Sequence, residues 1–219
     1  MTSCLILVPT AVELQFLPLH FLSVVERHGG AIDICGFGPL VAAARTASLI
    51  ASHQPQQVLL CGVAGSIGPQ LSVASAYRFG SVACYGIGVG SGDSHRSSAA
   101  VGWRQWPGDM SDDTLSQPIG DVIQLANWRG DAEGRHLLLT VCAASHSDLE
   151  VAMKLAAYPL AVAEDMEGFG VAAACQLAGV PLSIVRGISN RAGVRDHRHW
   201  KVAEAMIAAS ELLEELVAL

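Results

Sequence analysis

Short apolar runs alternate with segments of helical periodicity along most of the chain. Runs such as LILV (5–8) and VLLCG (58–62) lack polar alternation, which is typical of strands covered on both faces. The pattern predicts strands at 5–8, 31–35, 58–62, 81–86, 136–142, 160–164 and 182–189. It predicts helices at about 11–27, 40–52, 147–157 and 167–178, and a last helix ending in ELLEELVAL. Alternating strands and helices indicate one three-layer α/β/α domain over 1–219, with a mixed, mostly parallel sheet.

The stretch 87–135 interrupts this alternation. It is rich in Gly, Ser, Asp and Trp, and its periodicity is weak. We interpret it as a long connection between core strands that carries a short helix at 118–127. Such a connection can be a functional loop or a tolerated surface insertion, and the sequence does not distinguish the two.

The uncharged run between Glu167 and Arg186 approaches the length that spans a membrane. It contains QLAGVP (176–181), which is typical of a helix end followed by a strand, so we expect no membrane span. The first residues have no basic segment of a signal peptide. None of the six cysteines forms a C-x-x-C pair, so we expect buried free thiols in a reducing cytoplasm and no metal site. A nucleophilic cysteine is the alternative.

Composition and charge narrow the class of ligand. Hydrophobic residues make up 51% and charged residues 15% of the chain, which excludes a disordered or coiled-coil protein. Thirteen Lys and Arg stand against twenty Asp and Glu, a formal net charge of −7. Such an acidic chain is a poor candidate for binding nucleic acid, and we expect a small-molecule ligand.

Polar side chains that could carry chemistry follow three of the predicted strands. Glu13 lies after the first strand, EDMEG (164–168) places three carboxylates at a strand-to-helix junction, and Asn190 ends ISN (188–190). Ligands of open α/β sheets bind beyond the carboxyl ends of the strands. Clustered carboxylates are costly unless a cation or a hydroxyl group binds there. The alternatives are ordinary acids in the first turn of a helix and a turn-forming asparagine.

Glycine-rich segments lie beside these positions. GFG (36–38) and GVAGS (62–66), which we interpret as a glycine-rich turn, allow a close approach of the backbone to a ligand. Neither segment continues into a dinucleotide-binding or P-loop motif. The G-x-S-x-G motif of α/β-hydrolases is also absent, and we expect no cofactor.

In this order, VPTAVE, GFG, CGVAGS, AEDMEG and VRGISN resemble the nucleoside phosphorylase/hydrolase superfamily over nearly the whole chain. Within it, the chain is similar to the futalosine hydrolases in its P-T-A-x-E start, in CYGIGVGSGD (84–93) and in ISNRAGVRDHRHWK (188–201). Adenine nucleosidases carry a serine where this chain has Val63, and Glu where it has Asp165. Both departures argue against adenosine-type substrates.

The resemblance implies roles for individual residues. Glu13 would be the base that deprotonates the attacking water, and Asn190 would bind a 6-oxo purine where adenine-specific enzymes have Asp. The substrate-binding residues would be Met166 under the sugar, Glu167 on both ribose hydroxyls, Gly65, Ser189, and Trp200 as an aromatic lid. For Trp200 the alternative is a tryptophan that docks a helix.

The implied reaction is hydrolysis of the N-glycosidic bond of futalosine, which releases hypoxanthine and dehypoxanthine futalosine on a route to menaquinone. A homodimer or higher homo-oligomer is also implied. Three alternatives stay open: another purine nucleosidase of the methylthioadenosine/adenosylhomocysteine type, a 6-oxopurine nucleoside phosphorylase, and a non-catalytic nucleoside-binding module. A phosphorylase needs a cationic phosphate site, and the segment Gln57–Tyr77 contains no Lys or Arg.

Overall fold

A computed structural model describes residues 2–108, 117–125 and 136–217. The strands are β1 (Cys4–Val8), β2 (Ala31–Ile34), β3 (Gln57–Ser66), β4 (Ala76–Phe79), β5 (Ser81–Cys84), β6 (Gly88–Val89), β7 (Arg96–Ser97), β8 (Val122–Gln124), β9 (Leu137–Thr140), β10 (Ala161–Asp165) and β11 (Leu182–Arg191). The α-helices are α1 (Ala11–Leu14), α2 (Leu19–Arg27), α3 (Pro39–His53), α4 (Asp148–Ala157), α5 (Gly168–Leu177) and α6 (Val202–Val217).

The central sheet has the strand order β2-β1-β3-β10-β9-β5-β8, and β11 pairs with both β3 and β4. The pairs of β1 with β2 and β3, of β9 with β10 and β5, and of β11 with β3 are parallel. The pairs β3–β10, β4–β11 and β5–β8 are antiparallel. The prediction of a mixed, mostly parallel sheet is therefore confirmed.

Helices cover both faces of the sheet. Leu5 and Leu7 of β1 belong to a buried cluster with residues of α3 and α5, whereas Cys4, Ile6 and Val8 belong to a second cluster with residues of α2 and α6. Successive side chains of a strand point to opposite faces, so the uninterrupted apolar run of β1 supplies two cores. This explains the lack of polar alternation in the sequence and gives the predicted three layers.

The prediction of a glycine-rich turn at 62–66 is wrong, because β3 continues as a strand to Ser66. Its first half pairs with β1 as far as Leu60, and its last two residues pair antiparallel with β10. The long strand β3 therefore leaves β1 and joins β10, while β11 follows it along its whole length. The divergence of β1 from β10 opens a gap at the carboxyl ends of β1, β10 and β11.

Two helix predictions are also corrected. The helix predicted over 11–27 is divided into α1 and α2, with Pro18 capping the start of α2. Pro is favoured at the first positions of a helix and not in its interior. The described part of the predicted helix 118–127 is extended, since Ile119 bridges Trp106 and β8 pairs with the edge of β5. Residues 126–127 lie outside the described part. In the three described ranges, no helix is long and apolar enough to cross a membrane.

Candidate active site

A cavity of about 380 Å³ lies in the gap between the diverging strands. All seven residues that the sequence analysis assigned to the site line it: Glu13, Gly65, Met166, Glu167, Ser189, Asn190 and Trp200. They come from segments that are far apart along the chain, and the splitting of the sheet brings them together. The cavity therefore lies where the rule of strand carboxyl ends predicts that a ligand binds.

Glu13 is a buried carboxylate with a fixed orientation. Its Oε1 accepts a hydrogen bond from Val63 N at 2.9 Å, and its Oε2 accepts one from Thr10 Oγ1 at 2.6 Å. Thr10 also caps α1 by accepting from Glu13 N at 3.2 Å. Val63 lies beyond the last β3 residue that pairs with β1, so β1 does not compete for its N–H. Glu13 is thus held inside the cavity, unlike a solvated acid in the first turn of a helix.

Glu167 lies at the start of α5 and faces the same cavity. Its Oε1 accepts from Gly38 N at 3.2 Å, and its Oε2 accepts from Arg186 Nη2 at 3.3 Å. Gly38 has a φ of +82°, a conformation that glycine adopts without strain and that aims its N–H at the carboxylate. Each oxygen of Glu167 keeps lone-pair capacity, because a carboxylate can accept about four hydrogen bonds.

Arg186 is a central residue of the site that the sequence analysis missed. It is fully buried, and its Nη2 and Nε lie 2.5 and 3.1 Å from Asp165 Oδ2. Its Nη1 has no hydrogen-bond partner in the described residues and faces Glu13 across Gly62. Burial lowers the pKa of Arg186, but Asp165, Glu167 and Glu13 raise it more, so that its pKa lies above the ordinary value. One guanidinium therefore binds two carboxylates and faces a third.

The pKa of Glu167 reflects this shortage of positive charge. Burial raises it most, Arg186 lowers it, and Asp165 and Glu13 raise it further, to about 7. Asp165 takes the two short contacts with Arg186 and also accepts from Thr140 Oγ1 at 2.7 Å. Glu167 has the longer contact with Arg186, and with a pKa of about 7 its carboxyl group is partly protonated near neutral pH. Hydroxyl donors from a ligand would stabilise its charged form.

Glu164, the first acid of EDMEG, pairs with a different cation, Lys154. Lys154 Nζ lies 2.9 Å from Glu164 Oε2 and 2.8 Å from Ser145 Oγ, and all three residues are buried. Glu164 also accepts from Ser145 N at 2.7 Å. This cluster ties the segment after β9 to β10, and Ser145 and Glu164 line the cavity. Two buried cations thus neutralise much of the charge that made EDMEG unusual in the sequence.

Asn190 lines the cavity from β11. Its Oδ1 accepts from Ser189 Oγ at 2.8 Å, and its Nδ2 donates to Arg191 O at 2.8 Å. An amide nitrogen carries two protons, so one remains for a ligand. Ser189 contacts the amide of Asn190 and fixes its orientation.

An aromatic group forms the mouth of the cavity. The ring of Trp200 is stacked on His197, with centroids 4.3 Å apart and planes 8° apart. Trp200 Nε1 donates to Val194 O at 3.1 Å, and the Arg195 guanidinium carbon lies 5.2 Å from the indole centroid. Trp200 precedes α6 and lines the cavity together with Arg195, His197 and Phe37, so it forms part of the wall at the entrance.

The cysteines near the site are buried thiols. Burial raises the pKa of Cys35 and of Cys61 to about 12, which keeps them protonated and poorly nucleophilic at neutral pH. Of the six cysteines, all free, Cys142 alone is exposed. No group of three His, Cys, Asp or Glu side chains within 2–108, 117–125 and 136–217 is arranged to hold a metal ion.

Known proteins are similar to this chain in sequence and in fold. The model of the phosphorylase superfamily matches residues 137–218. Futalosine hydrolase from Thermus thermophilus is 32% identical over 226 residues, which cover 98% of this chain and 95% of the relative. The native structure of futalosine hydrolase of Helicobacter pylori superposes with a TM-score of 0.72 at 17% identity, covering 99% of this chain and 97% of that one.

A second solved structure extends the likeness in fold. The 5′-methylthioadenosine/S-adenosylhomocysteine nucleosidase from Neisseria meningitidis, in complex with methylthio-immucillin-A, gives a TM-score of 0.74 at 18% identity over 100% of both chains. At such identities the likeness establishes the fold, whereas the near full-length match at 32% identity establishes the family. The chain belongs to the futalosine hydrolase family.

Proposed function

We propose that the protein hydrolyses the N-glycosidic bond of futalosine and releases hypoxanthine and dehypoxanthine futalosine, in menaquinone biosynthesis by the futalosine route. The observation that carries this proposal is the pair of buried carboxylates, Glu13 and Glu167, that face one cavity together with the amide of Asn190. The substrate is named from the family to which the chain belongs.

The proposed mechanism is dissociative. As the bond between C1′ and N9 stretches, positive charge builds on the ribose, and Glu167 holds the sugar hydroxyls through its free lone pairs. Glu13 takes the proton from the attacking water, while Met166 packs under the sugar. The hydrogen bonds that Glu13 accepts from Val63 N and Thr10 Oγ1 fix the direction of its carboxylate, as general-base catalysis requires.

The leaving purine gains negative charge as the bond breaks. The remaining Nδ2 proton of Asn190 would donate to O6 or N7 of hypoxanthine, an electrostatic contribution of the oxyanion-hole type. Ser189 and the carbonyl of Arg191 hold the amide in place for this contact. An amide supplies no proton, so protonation of N7 comes from water or from another group.

Phosphorolysis is less compatible with the buried carboxylates that line the cavity. Arg186, the cation next to Glu13 and Glu167, is fully buried and committed to carboxylates. Among the described residues that line the cavity, Arg195 has no carboxylate partner, but it lies at the exposed mouth. A phosphate dianion at the ribose would therefore face Glu13 and Glu167. A neutral water molecule in the same position would not be repelled by these two carboxylates.

We also propose a homo-oligomer in the cytoplasm. Four apolar side chains at the mouth and the start of α3 are more than half exposed: Val12, Phe37, Leu40 and Val41. An exposed apolar group of this kind is typical of an interface between subunits. The free thiols agree with a reducing compartment.

The test is a direct assay of hypoxanthine release. The purified protein is incubated in phosphate-free buffer with futalosine, inosine or methylthioadenosine, and the free base is quantified. We expect turnover of futalosine far above that of methylthioadenosine. Faster release of adenine from methylthioadenosine would favour a nucleosidase of the methylthioadenosine/adenosylhomocysteine type. No release of base from any of the three compounds would favour a binding module.

A further inference from the structure

The segment between β11 and α6 carries three arginines that differ in their partners. Arg191 pairs with Asp148 at 3.2 Å, and Arg198 pairs with Asp196 at 2.7 Å. Arg195 has no carboxylate partner within the described ranges, and of the three it is the arginine that lines the cavity. Its guanidinium lies against the indole of Trp200. The proposed mechanism uses none of these three side chains.

Exposure divides the lining of the cavity into a floor and a mouth. Glu13, Glu167 and Asn190 are buried, whereas Arg195, His197 and Phe37 are exposed. The floor holds carboxylates with one shared arginine, and the mouth holds a cation beside flat rings. An anionic group of a ligand is therefore disfavoured at the floor and favoured at the mouth.

The chemistry of the mouth selects a planar anion. A guanidinium offers a flat fork of N–H donors that matches the two oxygens of a carboxylate. The rings of Trp200 and His197 present apolar surface beside it, and the indole is held by its bond to Val194 O. A carboxylate on an aromatic ring fits both features, because its ring can pack beside the stacked rings of Trp200 and His197 while its oxygens reach Arg195.

We propose that Arg195, supported by Trp200 and His197, is the specificity-determining site for an aromatic carboxylate that projects from the 5′ side of the ribose. The inference rests on the proposed function, because futalosine is an inosine derivative whose 5′ extension ends in a carboxyphenyl group. The substrate class is thus a purine nucleoside with an anionic aryl tail. Inosine and methylthioadenosine lack that tail.

The test compares futalosine with its methyl ester, in which the carboxylate is neutral. Arg195→Gln should lower kcat/KM for futalosine about 10-fold, mainly through KM, because it removes a charge-assisted hydrogen bond at an exposed site. It should leave kcat/KM for the ester unchanged. Arg195→Lys should retain part of the activity, since it keeps the charge without the planar fork.

A matched control and a salt series make the test specific. Arg198→Gln removes an arginine from the same segment that is paired with Asp196 and does not line the cavity, and it should leave both substrates unaffected. Added salt should raise KM for futalosine in the wild type and not in Arg195→Gln. Equal losses for futalosine and the ester, or no loss for either, would overturn the proposal.

Hypoxanthine release by the wild type separates this inference from the proposed function. If the wild type hydrolyses neither compound, calorimetric titration with both compounds replaces the kinetics. Binding of futalosine that is about 10-fold weaker in Arg195→Gln, with unchanged binding of the ester, would support the carboxylate site without the reaction. Equal affinities in both proteins, or no binding of futalosine, would refute it.

Discussion

Replacing Arg186 by methionine tests how the site is held together. The side chain is fully buried, contacts Asp165 twice and Glu167 once, and faces Glu13. Methionine fills much of the same volume without charge. The variant therefore leaves three buried carboxylates, Glu13, Asp165 and Glu167, in one place without their shared cation.

The expected loss is large for a single substitution. Removing one partner from a buried ion pair costs about 3–5 kcal/mol, because the remaining charge stays desolvated and unpaired. The total free energy of unfolding of a domain is about 5–15 kcal/mol, so Arg186→Met can remain folded and measurable. Adding Asp165→Asn should recover part of the loss, since Asn can still accept from Thr140 Oγ1.

The pH dependence of this loss has a defined sign. Arg186 lowers the pKa of Glu167, which lies at about 7 in the wild type, so that pKa is higher still in Arg186→Met. A carboxyl group whose pKa is raised on folding contributes most stability below its unfolded pKa, and this contribution is lost as pH rises through the folded pKa. The difference from the wild type should thus shrink as pH falls from about 8 to about 6.

Urea unfolding followed by circular dichroism measures this difference at several pH values. Our interpretation predicts a loss of about 3–5 kcal/mol at about pH 8, a smaller loss at about pH 6, and partial recovery in the double variant. A loss below about 1 kcal/mol, the size of an exposed ion pair, would refute the reasoning. A loss that does not change with pH would contradict the assignment of its cause to unpaired carboxylates.

Three further predictions concern catalysis. Glu13→Gln should lower kcat about 10²–10⁴-fold with KM largely kept, and a variant with normal kcat would remove Glu13 from the mechanism. Asn190→Asp should shift the ratio of kcat/KM from hypoxanthine towards adenine nucleosides by about 1–3 kcal/mol; an unchanged ratio would mean that the base is bound elsewhere. Because the pKa of Glu167 is about 7, kcat/KM should fall as pH drops below that value and its carboxylate takes up a proton, and a flat acid limb would contradict its role as acceptor of the ribose hydroxyls.

The sequence was sufficient to predict the layers and several of the residues that line the candidate cavity. Apolar runs without alternation indicated strands with cores on both faces, as β1 shows by contributing to two clusters. Glu13 and Glu167 follow strands, and Asn190 is the penultimate residue of strand β11, so the rule for open α/β sheets predicts that these residues lie near one another. The spatial relation of these residues, however, depends on the path of β3. Its glycines suggested a turn, whereas β3 is one strand that pairs first with β1 and then with β10.

Arg186 and Lys154 could have been inferred only indirectly. An arginine within the buried run of β11 must find carboxylates, since a buried charge is costly without a partner. The three acids of EDMEG needed cations for the same reason. These two signals were complementary, but nothing in the spacing along the chain showed that Arg186 serves Asp165 and Glu167 while Lys154 serves Glu164. That pairing follows from the register of β9, β10 and β11 and from the position of α4.

The edge of the sheet was poorly predicted because its signals are short. Strand β8 has three residues, of which Ile123 is buried between two exposed neighbours. A period of two over three residues cannot be distinguished from part of a helix by pattern alone. The segment forms a strand because it pairs with the edge of β5. This is a tertiary contact, which the local sequence pattern does not show.

The identity of the nucleophile tests the central claim most directly. The protein is incubated with futalosine in ¹⁸O-labelled water that contains millimolar phosphate, and the reaction is quenched early for mass spectrometry. Hydrolysis at the pair Glu13 and Glu167 predicts dehypoxanthine futalosine with one ¹⁸O at the anomeric hydroxyl, and a rate that does not depend on phosphate. A sugar 1-phosphate product without the label would contradict the account.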